Sequence, residues 1–146
     1  MKNHVKKPLM YTLFWLLAFC ATKENFKATF PQEIASMSLE RWTGGRRETG
    51  SGTIISIEFK NPLEKSIHLK KIYFENLETK IVQETEIKYR ASFYANALYR
   101  EPQSSNTTTK HFRLKDNEAV IEYQKNNKTY YYKCSNIKEI PMIMYQ

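Results

Sequence analysis

The chain has 146 residues, enough for one domain with a buried core and too few for two. Its formal net charge is +8, and a basic balance of this size indicates an anionic partner or a solvated basic surface. A single aspartate, Asp116, argues against calcium-binding loops and against magnesium sites built on clustered aspartates.

The first segment has the pattern of a secretory signal peptide, because Lys2, Lys6 and Lys7 precede an apolar run from Leu9 to Ala21. The run is roughly 13 residues long, short of the ~20 residues that a membrane-spanning helix needs. We therefore expect residues 1–20 to be a signal peptide and the mature chain to be exported.

Two processing routes fit the end of this segment. Leu17-Ala18-Phe19-Cys20 resembles the lipobox of bacterial lipoproteins, which predicts lipid attachment at Cys20 and a membrane-anchored protein of the cell envelope. Phe19 departs from the lipobox, where a small residue precedes the cysteine. The same residues also fit ordinary cleavage after Cys20, which would release a soluble periplasmic or secreted protein.

Removing the signal lysines lowers the formal charge from +8 to +5. An exported protein rarely meets nucleic acid, so we predict no nucleic-acid partner and expect anionic envelope lipids or polysaccharides as counterparts. The alternative is a solvated basic face that serves solubility.

The segment after the signal is polar, and residues 21–30 predict a tether ahead of a single domain of residues 31–146. Ile34 to Trp42 is expected to be the first strand, with Trp42 in the core or at its edge.

All four glycines fall in the loop Gly44–Gly52, which matches no phosphate-binding motif. We interpret this loop as a flexible connection between strands. Arg46 and Arg47 on it could contact an anionic group.

Alternation of apolar and polar residues predicts the strands of the middle of the chain. In order they are Thr53–Lys60, Ser66–Glu75, Lys80–Thr85, Ile87–Phe93 and a strand containing Phe112 and Leu114. A slip in phase predicts a β-bulge near Lys70 and Lys71. A turn is expected at Asn76–Thr79 and a long polar loop at Asn96–Lys110.

Glu118 to Cys134 predicts a β-hairpin, in which Asn126 and Asn127 fill a type I′ turn because asparagine tolerates positive φ. This register predicts one buried face, with Ala119 opposite Cys134, Ile121 opposite Tyr132 and Tyr123 opposite Tyr130. It predicts a solvated second face, with Val120 opposite Lys133, Glu122 opposite Tyr131 and Gln124 opposite Thr129. Cys134 is then a small buried residue rather than a reactive thiol.

Ile137–Tyr145 closes the chain, and Pro141 predicts that this last strand lies at a sheet edge. Eight or nine short strands without a helix predict an all-β protein, an antiparallel, immunoglobulin-like β-sandwich.

The order of these elements resembles that of small uncharacterised exported or lipoprotein-like β-sandwich proteins of Gram-negative bacteria. The resemblance spans most of the mature chain and includes Pro31–Ile34, the glycine-rich loop, Leu69–Phe74, Leu114–Val120 and Ser135–Glu139. It implies export and fold, and no activity comes with it.

The sequence predicts no catalytic centre, no metal site and no cofactor, since His68 and His111 lie far apart and no nucleophile motif is present. We therefore expect a non-enzymatic protein. The first functional class is a lipid-anchored interaction module whose partner is an envelope protein of unknown identity. The alternative is a glycan or anionic-lipid binder, with aromatic surface from Tyr94, Tyr99 and Tyr131 and charge from Arg46, Arg47, Lys88 and Arg90.

Overall fold

Alternation of apolar and polar residues produces strands throughout the part of the chain that the computed structural model describes, residues 24–45, 50–95, 106–107 and 110–145. In chain order these are β1 (Phe26–Lys27), β2 (Ile34–Gly44), β3 (Ser51–Phe59), β4 (Ile67–Phe74), β5 (Leu77–Lys80), β6 (Val82–Gln83), β7 (Lys88–Ala95), β8 (Asn106–Thr107), β9 (Ala119–Lys125), β10 (Lys128–Cys134) and β11 (Lys138–Tyr145). The predicted signal segment, with Cys20, lies outside the described residues. Within them, no helix is long and apolar enough to cross a membrane.

The strands form two sheets that fit a β-sandwich, as predicted. The hairpin sheet has the order β1-β10-β9-β4-β5-β8, and the opposite sheet has the order β11-β2-β3-β7-β6. The prediction of a purely antiparallel sandwich is wrong, because β1 pairs in parallel with β10 and β11 pairs in parallel with β2. Neither pair is joined by a hairpin, so the antiparallel direction is not imposed on it.

The core lies between the two sheets and is filled by alternate residues of their inner faces. The opposite sheet contributes Leu39, Ile55, Ile57, Phe59, Tyr89, Ala91 and Phe93, and the hairpin sheet contributes Ile67, Ile72, Phe74, Ala119, Ile121, Tyr123 and Cys134. Burial of each large apolar side chain favours the folded state by about 1.5–3 kcal/mol. This core holds the sheets, and therefore both outer faces, in place.

The predicted hairpin is confirmed in turn type and register. Asn126 and Asn127 have φ angles of 51° and 63°, and Cys134 pairs with Ala119. The prediction that the second face is solvated is wrong in part, because Val120 is 1% exposed and Tyr131 is 7% exposed. Residues 110–115 cover that face, and they form no strand although a strand was predicted there.

Local irregularities of β4 and β5 agree only partly with the sequence pattern. The predicted bulge is confirmed, since the register of β4 against β9 shifts between Leu69 and Lys71. The predicted turn at Asn76–Thr79 is wrong in its extent, because the turn lies at Glu75, with a φ of 53°, and Asn76, and β5 begins at Leu77. The predicted strand Lys80–Thr85 is reduced to β6 because the chain crosses there from one sheet to the other.

The described part of the predicted tether, residues 24–30, is packed against the domain. Phe26 and Lys27 form β1, and the Phe30 ring lies 4.7 Å from the Tyr123 ring and 5.5 Å from the Phe59 ring. The interpretation as a tether is therefore wrong for these residues, because two phenylalanines within a polar segment are enough to dock it.

The glycine-rich segment has a packing role at Gly52, which pairs with Trp42 across β2 and β3. A Cβ atom at Gly52 would lie 2.4 Å from the Phe93 carbonyl oxygen and 2.7 Å from the Trp42 ring nitrogen. Trp42 thus covers a strand glycine on the outer face instead of entering the core. The structure does not describe residues 46–49, so Arg46 and Arg47 lie outside the described residues.

Cys134 provides a test of the hairpin register. Its thiol is buried, and burial raises its pKa to about 12. Because the thiolate is the reacting form, we expect a maleimide at neutral pH to modify Cys134 slowly in the native protein and rapidly in denaturant. Peptide mass spectrometry that follows the Cys134 peptide alone measures both rates. Equal rates would contradict the register.

Candidate anion-binding cleft

The residues predicted to bind a ligand do not form one site. Lys88 and Arg90 are exposed on β7, where Lys88 lies 3.8 Å from a Glu58 oxygen and Arg90 lies 3.1 Å from a Glu84 oxygen. Tyr131 belongs to the hairpin sheet and is buried, so the expectation of an exposed ring at this position is wrong. Of the predicted set, the structure brings together only Arg90 and Tyr94 among the described residues, which line a cleft of about 250 Å³ that also contains Glu84. Tyr99 lies outside the described residues.

Tyr131 is covered by residues 110–115, which we call the strap. Phe112 and Leu114 of the strap pack on Tyr73, Val120 and Tyr131. The alternating residues His111, Arg113 and Lys115 are exposed. The strap therefore buries every second side chain against the sheet, as a strand would. Its backbone, however, does not pair with a neighbouring strand. This contact closes the apolar part of the outer face.

Lys110 begins the strap and clamps it by charge. Its ammonium donates a hydrogen bond to the Tyr131 hydroxyl and lies 4.1 Å from the centre of that ring. The carboxylates of Glu24 and Glu122 lie 3.4 Å and 3.9 Å away. The Tyr73 hydroxyl in turn donates to Glu122 at 2.5 Å.

The contacts of this cluster favour the protonated forms of Lys110 and Tyr73. Burial opposes the charge of Lys110, but the hydrogen bond to Tyr131 and the two carboxylates raise its pKa above the ordinary value. Burial, followed by the hydrogen bond to Glu122, raises the pKa of Tyr73. A protonated amine and a neutral phenol are neither nucleophile nor base at neutral pH, and their contacts hold the strap on the sheet as a structural clamp.

A cleft of about 460 Å³ at the tip of the hairpin has a different character. We call it the lysine cleft, and it is lined by Lys27, Thr29, Pro31, Tyr123, Lys125, Asn126, Lys128 and Tyr130. Three of these side chains are cationic and none is acidic. Such a lining is suited to a carboxylate, sulfate or phosphate group.

The turn and β1 together bring the lysines to this place. The type I′ turn sets Lys125 directly opposite Lys128, and like charges at that position destabilise a strand pair. The parallel pairing of β1 places the Lys27 ammonium 4.9 Å from the centre of the Tyr130 ring. A bound anion would relieve the repulsion across the turn.

Few carboxylates balance these lysines. Lys125 lies 3.8 Å from an oxygen of the exposed Glu64. Within the part of the chain that the structure describes, Lys27 and Lys128 have no carboxylate within 4 Å. The cleft therefore has positive charge available for a ligand.

A larger cleft of about 560 Å³ lies between the starts of β4 and β7 and has a mixed lining. Glu64 and Glu86 face it together with Lys65 and His68, beside apolar side chains. It shows no preference for a ligand of one charge. In the described ranges no group of three or more His, Cys, Asp or Glu side chains could hold a metal ion.

The sheet edges give little support to docking of a protein strand. Three of the four edge strands, β1, β6 and β8, have two residues each. The fourth, β11, contains Pro141 and an irregularity between Ile140 and Ile143, and prolines and bulges at an edge oppose pairing with another chain. The exposed large apolar side chains of the described residues lie on three separate strands, at Phe26, Val82, Ile140 and Met142.

No family model, curated protein or solved structure matches the chain. The residues of the lysine cleft were missed by the sequence interpretation, although the predicted register already set Lys125 opposite Lys128. Lys27 could not be assigned in this way, because its position depends on a parallel pairing between distant segments.

The strap yields a prediction about stability. Replacing Phe112 by alanine removes a ring that packs on Tyr73 and Tyr131, so we expect the free energy of unfolding to fall by about 2 kcal/mol. Arg113→Ala, at an exposed neighbouring position, is the control and should change it by less than about 0.5 kcal/mol. Urea denaturation measures both, and equal effects would argue against the strap packing.

Proposed function

We propose that this chain is an exported, non-enzymatic binding protein of the cell envelope, and that its lysine cleft binds an anionic group of a glycan or a lipid. The observation that carries this proposal is the meeting of Lys27, Lys125 and Lys128 in one cleft without an acidic lining residue. The cross-strand pair of Lys125 and Lys128 adds a repulsion that an anion removes.

A binding role is also supported by the protonation states of the Cys134 thiol and the Lys110 amine. Cys134 is buried as a neutral thiol, with its pKa raised to about 12. Lys110 is kept protonated by its tyrosine and carboxylate neighbours. Neither Cys134 nor Lys110 is therefore in the deprotonated form that covalent chemistry needs.

The strand order supports an immunoglobulin-like arrangement, which we also propose. In the opposite sheet β2-β3-β7-β6 follow the order A-B-E-D, and in the hairpin sheet β10-β9-β4-β5 follow G-F-C-C′. Such sandwiches commonly present binding surfaces at their strand ends and loops, where the lysine cleft also lies. Function is nevertheless assigned from the cleft, since a fold alone specifies none.

This proposal differs in its ligand from the first function predicted from the sequence, a module that binds an envelope protein. Blunted sheet edges and scattered apolar side chains favour a charged ligand over a protein strand or an apolar docking surface. Export, and attachment to the membrane through lipid on Cys20, remain part of the proposal on the sequence pattern of the first segment.

Substitution of the cleft lysines tests the binding site. In the triple variant Lys27→Gln, Lys125→Gln, Lys128→Gln we expect affinity for an anionic polysaccharide or for vesicles with anionic lipid to fall about 100-fold, since each lysine contributes ~1 kcal/mol near such a surface. The matched control is Lys80→Gln, Lys115→Gln, Lys138→Gln, which makes the same charge change at exposed positions outside the cleft. Equal losses in both variants would show that net charge alone attracts the ligand and would reject the site.

Mass spectrometry of the mature N-terminus tests the location. We expect an acylated Cys20, and we expect Cys20→Ser to release the protein from membranes or to block its processing. An unmodified N-terminus at Ala21 would mean a soluble product. An intact Met1 would reject export.

A further inference from the structure

We propose that the anionic group bound in the lysine cleft is the phosphate of an anionic phospholipid in the membrane that holds the protein, so that the hairpin tip faces the membrane surface. This inference rests on the proposed function. It adds the chemical class of the ligand and the orientation of the domain.

The first support is the path of the chain beside β10. The Tyr131 backbone N–H donates to the Asn25 carbonyl oxygen at 3.0 Å, and the Asn25 side-chain amide donates to the Thr129 carbonyl oxygen at 3.5 Å. Asn25 is thereby fixed next to Thr129, the residue that follows Lys128. The described chain therefore enters the domain close to the hairpin tip.

The second support is the length of chain between this point and the proposed lipid. Asn25 follows Cys20 by five positions, and five residues span at most about 18 Å when fully extended. Lys128 and Tyr131 are separated by about 10 Å along their strand. A lipid on Cys20 would thus hold the hairpin tip within reach of the headgroups.

The third support is the distribution of charge between the two ends of the sandwich. At the end far from the hairpin tip, Arg41 lies 3.4 Å from Glu75 and 3.2 Å from Glu139, and Lys133 lies 2.8 Å from Glu118. Those cations have carboxylate partners, whereas in the lysine cleft only Lys125 has one, the exposed Glu64 at 3.8 Å. Anionic headgroups are therefore attracted more strongly to the cleft lysines than to these paired cations.

The chemistry of the lining agrees with a phosphate. Lys125 and Lys128 present ammonium groups on the two sides of the turn, and Asn126 adds an amide between them. The Tyr123 hydroxyl is protonated at neutral pH and is a hydrogen-bond donor at the wall of the cleft. The volume of about 460 Å³ is large enough for a headgroup phosphate with its glycerol.

Lysine footprinting on vesicles tests the orientation. The mature protein is bound to vesicles of phosphatidylcholine alone or of phosphatidylcholine with phosphatidylglycerol, treated with an amine-acetylating reagent, and analysed by peptide mass spectrometry. We expect Lys27, Lys125 and Lys128 to react about fivefold more slowly on the anionic vesicles, and this protection to be lost at high salt. Lys80, Lys115 and Lys138 should react equally on both.

Soluble ligands separate the failure of this inference from the failure of the proposed function. If neither vesicle protects the cleft lysines relative to the free protein but an anionic polysaccharide does, the cleft binds anions and the lipid assignment is overturned. If neither vesicles nor polysaccharide protects them, the proposed function fails as well. Equal protection on both vesicles, relative to the free protein, would overturn the requirement for an anionic phospholipid, because phosphatidylcholine carries a phosphate but no net charge.

Discussion

The β9–β10 hairpin is the element on which the rest of the structure depends, because its register decides what both of its faces contact. Asn126 and Asn127 accept positive φ angles, which only a few residue types tolerate. With that turn, Ile121 and Tyr123 point into the core, while Val120 and Tyr131 point to the strap. A shift by one residue would exchange the two sets and expose the core residues.

Burial on both faces of the β9–β10 hairpin also affects how the basic residues of the domain are paired. Where lysines lie near the covered face, carboxylates accompany them, as in Lys71 with Glu78 at 2.6 Å and Lys133 with Glu118 at 2.8 Å. Exposed ion pairs contribute little to stability, typically about 0–1 kcal/mol each. Their consequence is mainly electrostatic, because they cancel the attraction of these lysines for an anionic ligand.

Features that depend on neighbouring residues were predictable from the sequence, and features that depend on distant contacts were not. The turn at Asn126, the bulge near Lys70 and the edge position of Pro141 each follow from local residue chemistry. The parallel pairing of Phe26 with Tyr131 leaves no local pattern, so the polar segment around it was interpreted as a tether. The strap was missed for a related reason, since the alternation around Phe112 fits a paired strand as well as an unpaired cover.

The same residue type therefore has opposite roles on one sheet, and the surroundings decide which. Lys110 is enclosed by Tyr131, Glu24 and Glu122, so its charge is already satisfied by the protein. Lys125 and Lys128 instead face each other across a turn, where their repulsion costs free energy in the absence of a ligand. A fold that retains such a pair beside a cleft without carboxylates gains stability when an anion binds, because the ligand favours the folded state by mass action. On the proposed function, binding and folding are coupled at the hairpin tip, the part of the domain whose turn also sets the register of the core.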